Sequence, residues 1–297
     1  MKNIAYRIAP VLLILASCQN KPDYDAQGTF EATEITVSSE SVGKIMQLDL
    51  EEGDSIVKDR DYGLIDTVQL YLQTLELRKQ QSATLNSRPD IAKQASSLRQ
   101  QIAGVKINRD RVQRLLADGA ATQKQLDDLN TQLASLEGQL AGLLSQMQSS
   151  IASLDDRASA VDIQLAAVQD KLNRCHIQSP IDGVVLTKYA EPGEVAAFGT
   201  PLFKVADLSH MYLRAYFTSD QLSQLRLGQK VRVEANYGGD NKKEYEGTIT
   251  FIAEESEFTP KTIQTKDSRA NLVYAVKIAV ENDGLLKIGL SGNVYLQ

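Results

Sequence analysis

Three kinds of hydrophobic spacing succeed one another along the chain. Between Thr29 and Asp66 the apolar residues come in short runs: Ile35/Val37, Ile45, Leu48/Leu50, Ile56/Val57 and Leu64/Ile65. Gly43, Glu52-Gly53-Asp54 and Tyr62-Gly63 separate them. Runs of that length broken by turn residues predict four short strands. From about Thr67 to Arg174 this punctuation stops, and Leu, Gln, Ala, Ser and Arg dominate around a single proline, Pro89. In the second half of the stretch, leucine-type positions fall at 126, 129, 133, 136, 140, 143, 147, 151, 154, 158, 161, 165, 168 and 172. The steps alternate three and four, with one doubled four from Met147 to Ile151. That is a heptad seam with a single stutter, and it predicts a long coiled-coil helix. The first half shows a weaker seam: Val68, Leu72 and Leu75, then, beyond Asn86-Ser87-Arg88-Pro89, Ile91, Ala95, Leu98, Ile102, Val105, Val112 and Leu115.

A residue before proline avoids helical angles and proline starts helices well, so the outgoing helix is expected to break near Arg88 and restart at Pro89. Asp118-Gly119 then ends it, with Gly119 suited to a left-handed C′ position, and Thr122 caps the returning helix. Two arms of about 50 residues each, running antiparallel, give a hairpin roughly 75 Å long. Strand-like punctuation returns from Cys175 to Ala206. MYLRAYF, QKVRVEAN, YEGTITFIAE, NLVYAVKIAV and GNVYL follow, with a short helix over Ser219 to Leu225, and this suggests a small antiparallel barrel. The expected fold class is α+β, elongated and multi-domain. Its segments are 29–66, a helical hairpin over 67–174 with its tip near 117–122, 175–206, and a barrel over 207–297.

Composition narrows the partners. A chain of 297 residues is long for one core, and its 6% of aromatics without Trp is thin for a large globular one. The net charge of −6 comes from interspersed signs, so no basic stripe exists to neutralise a phosphate backbone, and nucleic acid is excluded as a partner. Lys2 and Arg7 precede a short apolar stretch from Ile8 to Ala16, which has the shape of a signal peptide over 1–17 rather than of a membrane span. Leu15-Ala16-Ser17-Cys18 resembles a lipobox, which makes Cys18 the expected lipid-bearing residue; a cleaved secretory signal without lipid is the alternative. Residues 18–28 read as a flexible tether.

The two β-type stretches carry a resemblance. VGKIMQLDLEEGDSIVKDRDYGLID looks like the first half of a lipoyl-type β-hammerhead, and IQSPIDGVVLTKYAEPGEVAAFGTPLFKVADL looks like the second. With a helical hairpin inserted between them they resemble the HlyD-like periplasmic adaptors, or membrane fusion proteins. The segment EFTPKTIQTKDSRANLVYAVKIAVEN resembles the barrel of adaptors serving ABC-type exporters, and the chain ends after the barrel, without the further domain usual in adaptors of proton-driven RND pumps. The resemblance therefore implies an ABC permease/ATPase at the inner membrane, a TolC-like outer-membrane channel, a homo-oligomer (a hexamer in the family), and a periplasmic site in a Gram-negative envelope with the lipid at the inner membrane. RDRVQRLLADGAATQKQLDD is similar to the family's tip motif, which picks out Arg111, Leu115 and Thr122 around Asp118 and Gly119 as the channel-docking group, with Thr where the family has Ser.

No catalytic constellation competes with that reading. The carrier lysine of a lipoyl domain would sit at the junction the hairpin fills, Lys44 lies outside any phosphate-cradling motif, and His176 and His210 are not in metal-ligand spacing. Cys175 reads as a buried hydrophobe, and Asp49/Glu51/Glu52/Asp54 and Glu254/Glu255/Glu257 as turn charges. A non-enzymatic protein without cofactor is expected. The rival class is an envelope lipoprotein acting as a ligand-binding or structural tether.

Overall fold

The computed structural model describes residues 24–239, 241–258 and 272–296. The signal peptide, Cys18 and much of the barrel motif after Phe258 lie outside the described residues. In chain order the elements are β1 (Ala26–Ser38), β2 (Gly43–Leu48), β3 (Ser55–Ile56), β4 (Asp61–Ile65), α1 (Val68–Asn86), α2 (Ile91–Ala117), α3 (Gln123–Asn173), β5 (His176–Gln178), β6 (Gly183–Lys188), β7 (Val195–Ala196) and β8 (Pro201–Thr218). Then come α4 (Ser219–Leu222), β9 (Lys230–Asn236), β10 (Lys242–Phe258), β11 (Leu272–Glu281) and β12 (Ser291–Leu296).

The barrel closes through β1, which pairs antiparallel with β12 on one side and β8 on the other, while β9, β10 and β11 complete the ring. Alternation along β8 turns Met211, Leu213, Ala215 and Phe217 inward, where they meet Phe30, Ile249, Ile278 and Leu286 in one buried cluster. Each such apolar side chain contributes about 1.5–3 kcal/mol on leaving water.

Two expected boundaries move. Ordered pairing starts at Ala26, inside the segment read as a tether, because Asp25 N donates to Val294 O (2.9 Å) and Asp25 Oδ2 accepts from Leu296 N (2.7 Å). The barrel also has no edge at residue 207: β8 runs unbroken from the split module into it, and the 13-residue β1 accompanies it, with Phe30 in the barrel core. The first predicted strand is thus a long one. The joint between the modules is a bulge at Ala32/Thr33, where β8 carries Leu208–His210 as extra residues, and Asp207 Oδ1 accepts from Ser209 N (2.9 Å).

The split module is rejoined by four cross-half ladders, β1–β8, β4–β5, β2–β7 and β3–β6. Its core mixes the halves: Ile45, Ile56 and Ile65 pack with Cys175, Ile177, Val185, Leu202, Phe203 and Val205. A step of 140 positions maps one half on the other. Ser39 and Ser179, both buried, each donate to the carbonyl two residues on at 2.6 Å. The amides of Asp59 and Gly199 bond to Ser179 O and Ser39 O, both at 2.8 Å. Glu51 and Glu191, again 140 apart, meet on one ammonium, Lys188 Nζ, at 3.1 and 2.9 Å. The Lys188 side chain is only 8% exposed, and the hydrogen bond from Glu191 leads in raising its pKa.

The hairpin keeps one register along its length. Gln81 bonds to Asp162, Arg88 to Asp155 (2.5 Å) and Lys106 to Glu137 (2.8 Å), so each advance along one arm is matched by an equal return along the other. The α3 seam positions 126 to 172 are all buried or half-buried, stutter included. α2 starts two residues later than expected, at Ile91, because the Asp90 carboxylate caps it by accepting from Lys93 N (3.1 Å). α1 departs further. Leu70, Thr74 and Leu77 face α3, whereas Val68, Leu72 and Leu75 are 56%, 51% and 39% exposed. The final turn of α4 also stops short, at Leu222.

Candidate functional site at the hairpin tip

The tip is built by helix-end chemistry. At the end of α2, Asp118 N donates to Arg114 O (3.2 Å), Gly119 N to Leu116 O (3.1 Å) and Ala120 N to Leu115 O (2.7 Å). These bonds satisfy carbonyls that the helix leaves open, and they require the positive φ of +74° that Gly119 adopts. Thr122 then opens α3 as its N-cap: its Oγ1 accepts from Gln125 N (3.4 Å), and Gln125 Oε1 accepts from Thr122 N (2.9 Å). The T-x-x-Q spacing of this reciprocal pair was readable in the sequence.

Leu116, not Leu115, occupies the last seam position of α2, being half-buried while Leu115 is 41% exposed. Leu115 therefore stands free beside Arg111, one helical turn back and also exposed, whose Nη1 lies at 3.4 Å from Asn108 Oδ1. So an apolar knob and a cation share one face of α2, and Asp118, Gly119 and the exposed Thr122 follow them round the turn. The Thr122 hydroxyl accepts in the cap and keeps its proton to donate.

The other end of the lever is anchored. Arg174, capping α3, reaches Asp170 (2.8 Å) and Glu40 of the first half (3.3 Å); the Asp170 hydrogen bond leads in raising its pKa. Cys175 is fully buried, its Sγ 3.2 Å from Ser41 Oγ, while the adjacent His176 turns its Nδ1 to Asp61 (3.0 Å). Thiol and imidazole thus do not meet. The hydrogen bond from Gln178, helped by His176, holds the Asp61 carboxyl below its ordinary pKa against burial, which pushes it up. His210 pairs with Asp207 (2.9 Å), and Glu257 with Arg214 (2.7 Å). Among the described residues, no helix is long and apolar enough to cross a membrane.

No family model matches the chain. A UPF0194 membrane protein from the asrC 5′ region of Acidithiobacillus ferridurans is 34% identical over 128 residues, 42% of this chain and 37% of that protein, so the matched part is well under two thirds of the relative's length. The crystal structure of MacA from Actinobacillus actinomycetemcomitans aligns over 91% of this chain and 76% of its own, with a TM-score of 0.52 and 21% identity. A MacA–MexA chimera carrying the Pseudomonas aeruginosa MexA α-hairpin aligns over 92% and 81%, with a TM-score of 0.51 and 22% identity. By these alignments the chain has the fold of the membrane fusion proteins, the HlyD-like periplasmic adaptors.

Proposed function

We propose that the chain is a non-enzymatic adaptor subunit of a tripartite export system, joining an inner-membrane transporter of the ABC type to a TolC-like outer-membrane channel. The observation that carries this reading is the distance between an anchored root and a presented tip. α3 alone has 51 residues, which is roughly 76 Å of helix, and at the tip end its partner α2 presents an exposed Leu115–Arg111 face that the seam between them does not use. Nothing in a local packing role requires such a reach. At the tip, the knob and the cation supply cogwheel packing and a charge-assisted hydrogen bond to the periplasmic helix ends of a channel. A lipid on Cys18 would hold the base at the inner membrane, and energy would come from the transporter's ATPase. Copies of the chain would associate around the export path.

A photocrosslinking residue in place of Gly119, introduced in cells that make the whole envelope system, tests the docking. Capture of an outer-membrane channel is expected, and Leu115→Glu should abolish it while leaving the protein's melting temperature unchanged. Capture of this chain alone sinks the docking claim.

A further inference from the structure

The chain enters the barrel at the end remote from the split module, and it is held there. Asp25 N donates to Val294 O (2.9 Å), the Asp25 carboxylate accepts from Leu296 N (2.7 Å), and Asp25 O accepts from Gln221 Nε2 of α4 (2.7 Å). Cys18 lies seven residues before that fixed point, so a lipid on its thiol stays within about 25 Å of this end of the barrel. The opposite end is where β1 and β8 continue into the module. Two leucines stand exposed around the point of entry. Between α4 and β9 the chain makes a tight turn from Arg226 to Gln229: Gln229 N donates to Arg226 O (3.1 Å), Gln229 Oε1 accepts from Arg226 N (3.0 Å), and Gly228, at a φ of +80°, donates its N–H to Ile249 O (2.8 Å). The turn is thus tied down, and it holds Leu227 outward at 67% exposure while Leu225 just before it is buried. Leu272, which opens β11 where Val273 pairs with Thr218 ahead of α4, is 51% exposed. Arg226 is exposed too, and among the described residues its guanidinium has no carboxylate partner. Lys230 pairs with Glu246, and Asp220 on α4 is an exposed anion, so the charges of this end are mixed.

We propose that this end of the barrel rests on the lipid bilayer, with Leu227 and Leu272 entering its interface and Arg226 reaching the lipid phosphates. The proposal rests on the Cys18 lipid of the function proposed above. Leucines scattered singly over a surface are ordinary, but these two flank the place to which the tether brings the membrane, beside a free guanidinium. Arginine suits that position, since its stem lies along apolar surface while its head meets phosphate in charge-assisted hydrogen bonds. With mixed charges around it, the contact is mainly apolar and does not require anionic lipid. Its consequence is orientation. A flexible tether fixes where the barrel sits and not which way it points; a second contact at the 226–229 turn sets the barrel end against the membrane and directs β1, β8 and the module away from it.

The test uses the full-length protein reconstituted, without a transporter, in vesicles of phosphatidylethanolamine and phosphatidylglycerol. An environment-sensitive fluorescent amino acid replaces Leu227, Leu272 or, at the opposite end of the barrel, Leu285, which is 52% exposed. The probes at 227 and 272 should shift to the blue and be quenched by lipids brominated along the acyl chain, in phosphatidylcholine vesicles as well, and the probe at 285 should do neither. Leu227→Asn should cut the quenching at 272 by at least about threefold and leave the melting temperature unchanged, because the side chain it replaces is exposed. Probes at 227 and 272 no better quenched than the one at 285 would overturn the contact. A blue shift that needs added ABC transporter and comes without lipid quenching would overturn it as well, and would give the turn to that protein. If mass spectrometry finds no lipid on Cys18, the anchor in the proposed function fails separately; the protein is then tied to the vesicles through a maleimide lipid at that thiol, Cys175 being buried, and the same quenching decides the contact.

Discussion

The split module and the hairpin inserted in it solve burial in opposite ways. The module wholly encloses Ile45, Ile65, Leu202, Phe203 and Val205, drawn from stretches more than a hundred positions apart. The 51 residues of α3, by contrast, bury only Leu133, Met147, Ala158, Val161 and Val168. One region is held together by long-range strand pairing, and the other by a seam one residue wide repeated every three or four positions. The difference teaches where each can be damaged: a lesion in the module reaches both halves, while a lesion in the hairpin stays near its own rung.

That contrast can be broken most severely at Phe203. Phe203→Ala should cost about 3–5 kcal/mol and lower the denaturation midpoint of the sheet signal, because the ring is fully buried between the halves. Val161→Ala in the seam should cost about 1–2 kcal/mol and lower helical ellipticity on heating, with the sheet transition unmoved. The repeat inside the module allows a sharper comparison. Asp59 has φ +58° where its counterpart Gly199 has +83°. Gly199→Ala should destabilise by about 1–2 kcal/mol, and Asp59→Gly should be neutral or stabilising by less than about 1 kcal/mol, both read by chemical denaturation. Thr122→Ala should cost about 1 kcal/mol, and hydrogen exchange should place the loss in the first turn of α3.

The smallest effect concerns acid. The Asp61 carboxyl is depressed by Gln178 and His176, so it stabilises the folded state above the ordinary carboxylate pKa, and that contribution is lost as pH falls through the lower folded value. Asp61→Asn should flatten the acid limb of the module's stability curve below about pH 4, with the hairpin's helical signal as the internal control.

Legibility followed the same division. The seam of α3 could be read position by position because a helix seam is a local period. In α1 the reading failed, since its most apolar face, Val68, Leu72 and Leu75, is not the one turned to α3; periodicity reports that a face exists and not which neighbour covers it. The tip turn was legible because Gly119 and Thr122 carry their conformations in their own chemistry. Choosing Leu115 as both seam and docking residue was ambiguous until Leu116 was seen to fill the seam. The strands shared between module and barrel were invisible, because β1 and β8 pass from one core to the other with no Gly, Pro or loop to mark the crossing; only the bulge at Ala32/Thr33 does so, and its signature lies in the pairing. The return of strand-like punctuation after the hairpin was legible, whereas the 140-position correspondence rests on the matching bonds of Ser39 and Ser179 and belongs to three dimensions.

The single register that runs from Gln81–Asp162 through Arg88–Asp155 to Lys106–Glu137 constrains how such a protein can change over time. An insertion in one arm alone would slide every rung beyond it, so length can be gained or lost only in matched pieces on both arms. To preserve the seam those pieces must be whole heptads, each worth roughly 10 Å of reach. The gap the hairpin spans is therefore adjustable in steps rather than continuously, and a lineage facing a wider one must acquire two compensating insertions at once or tolerate a misaligned intermediate.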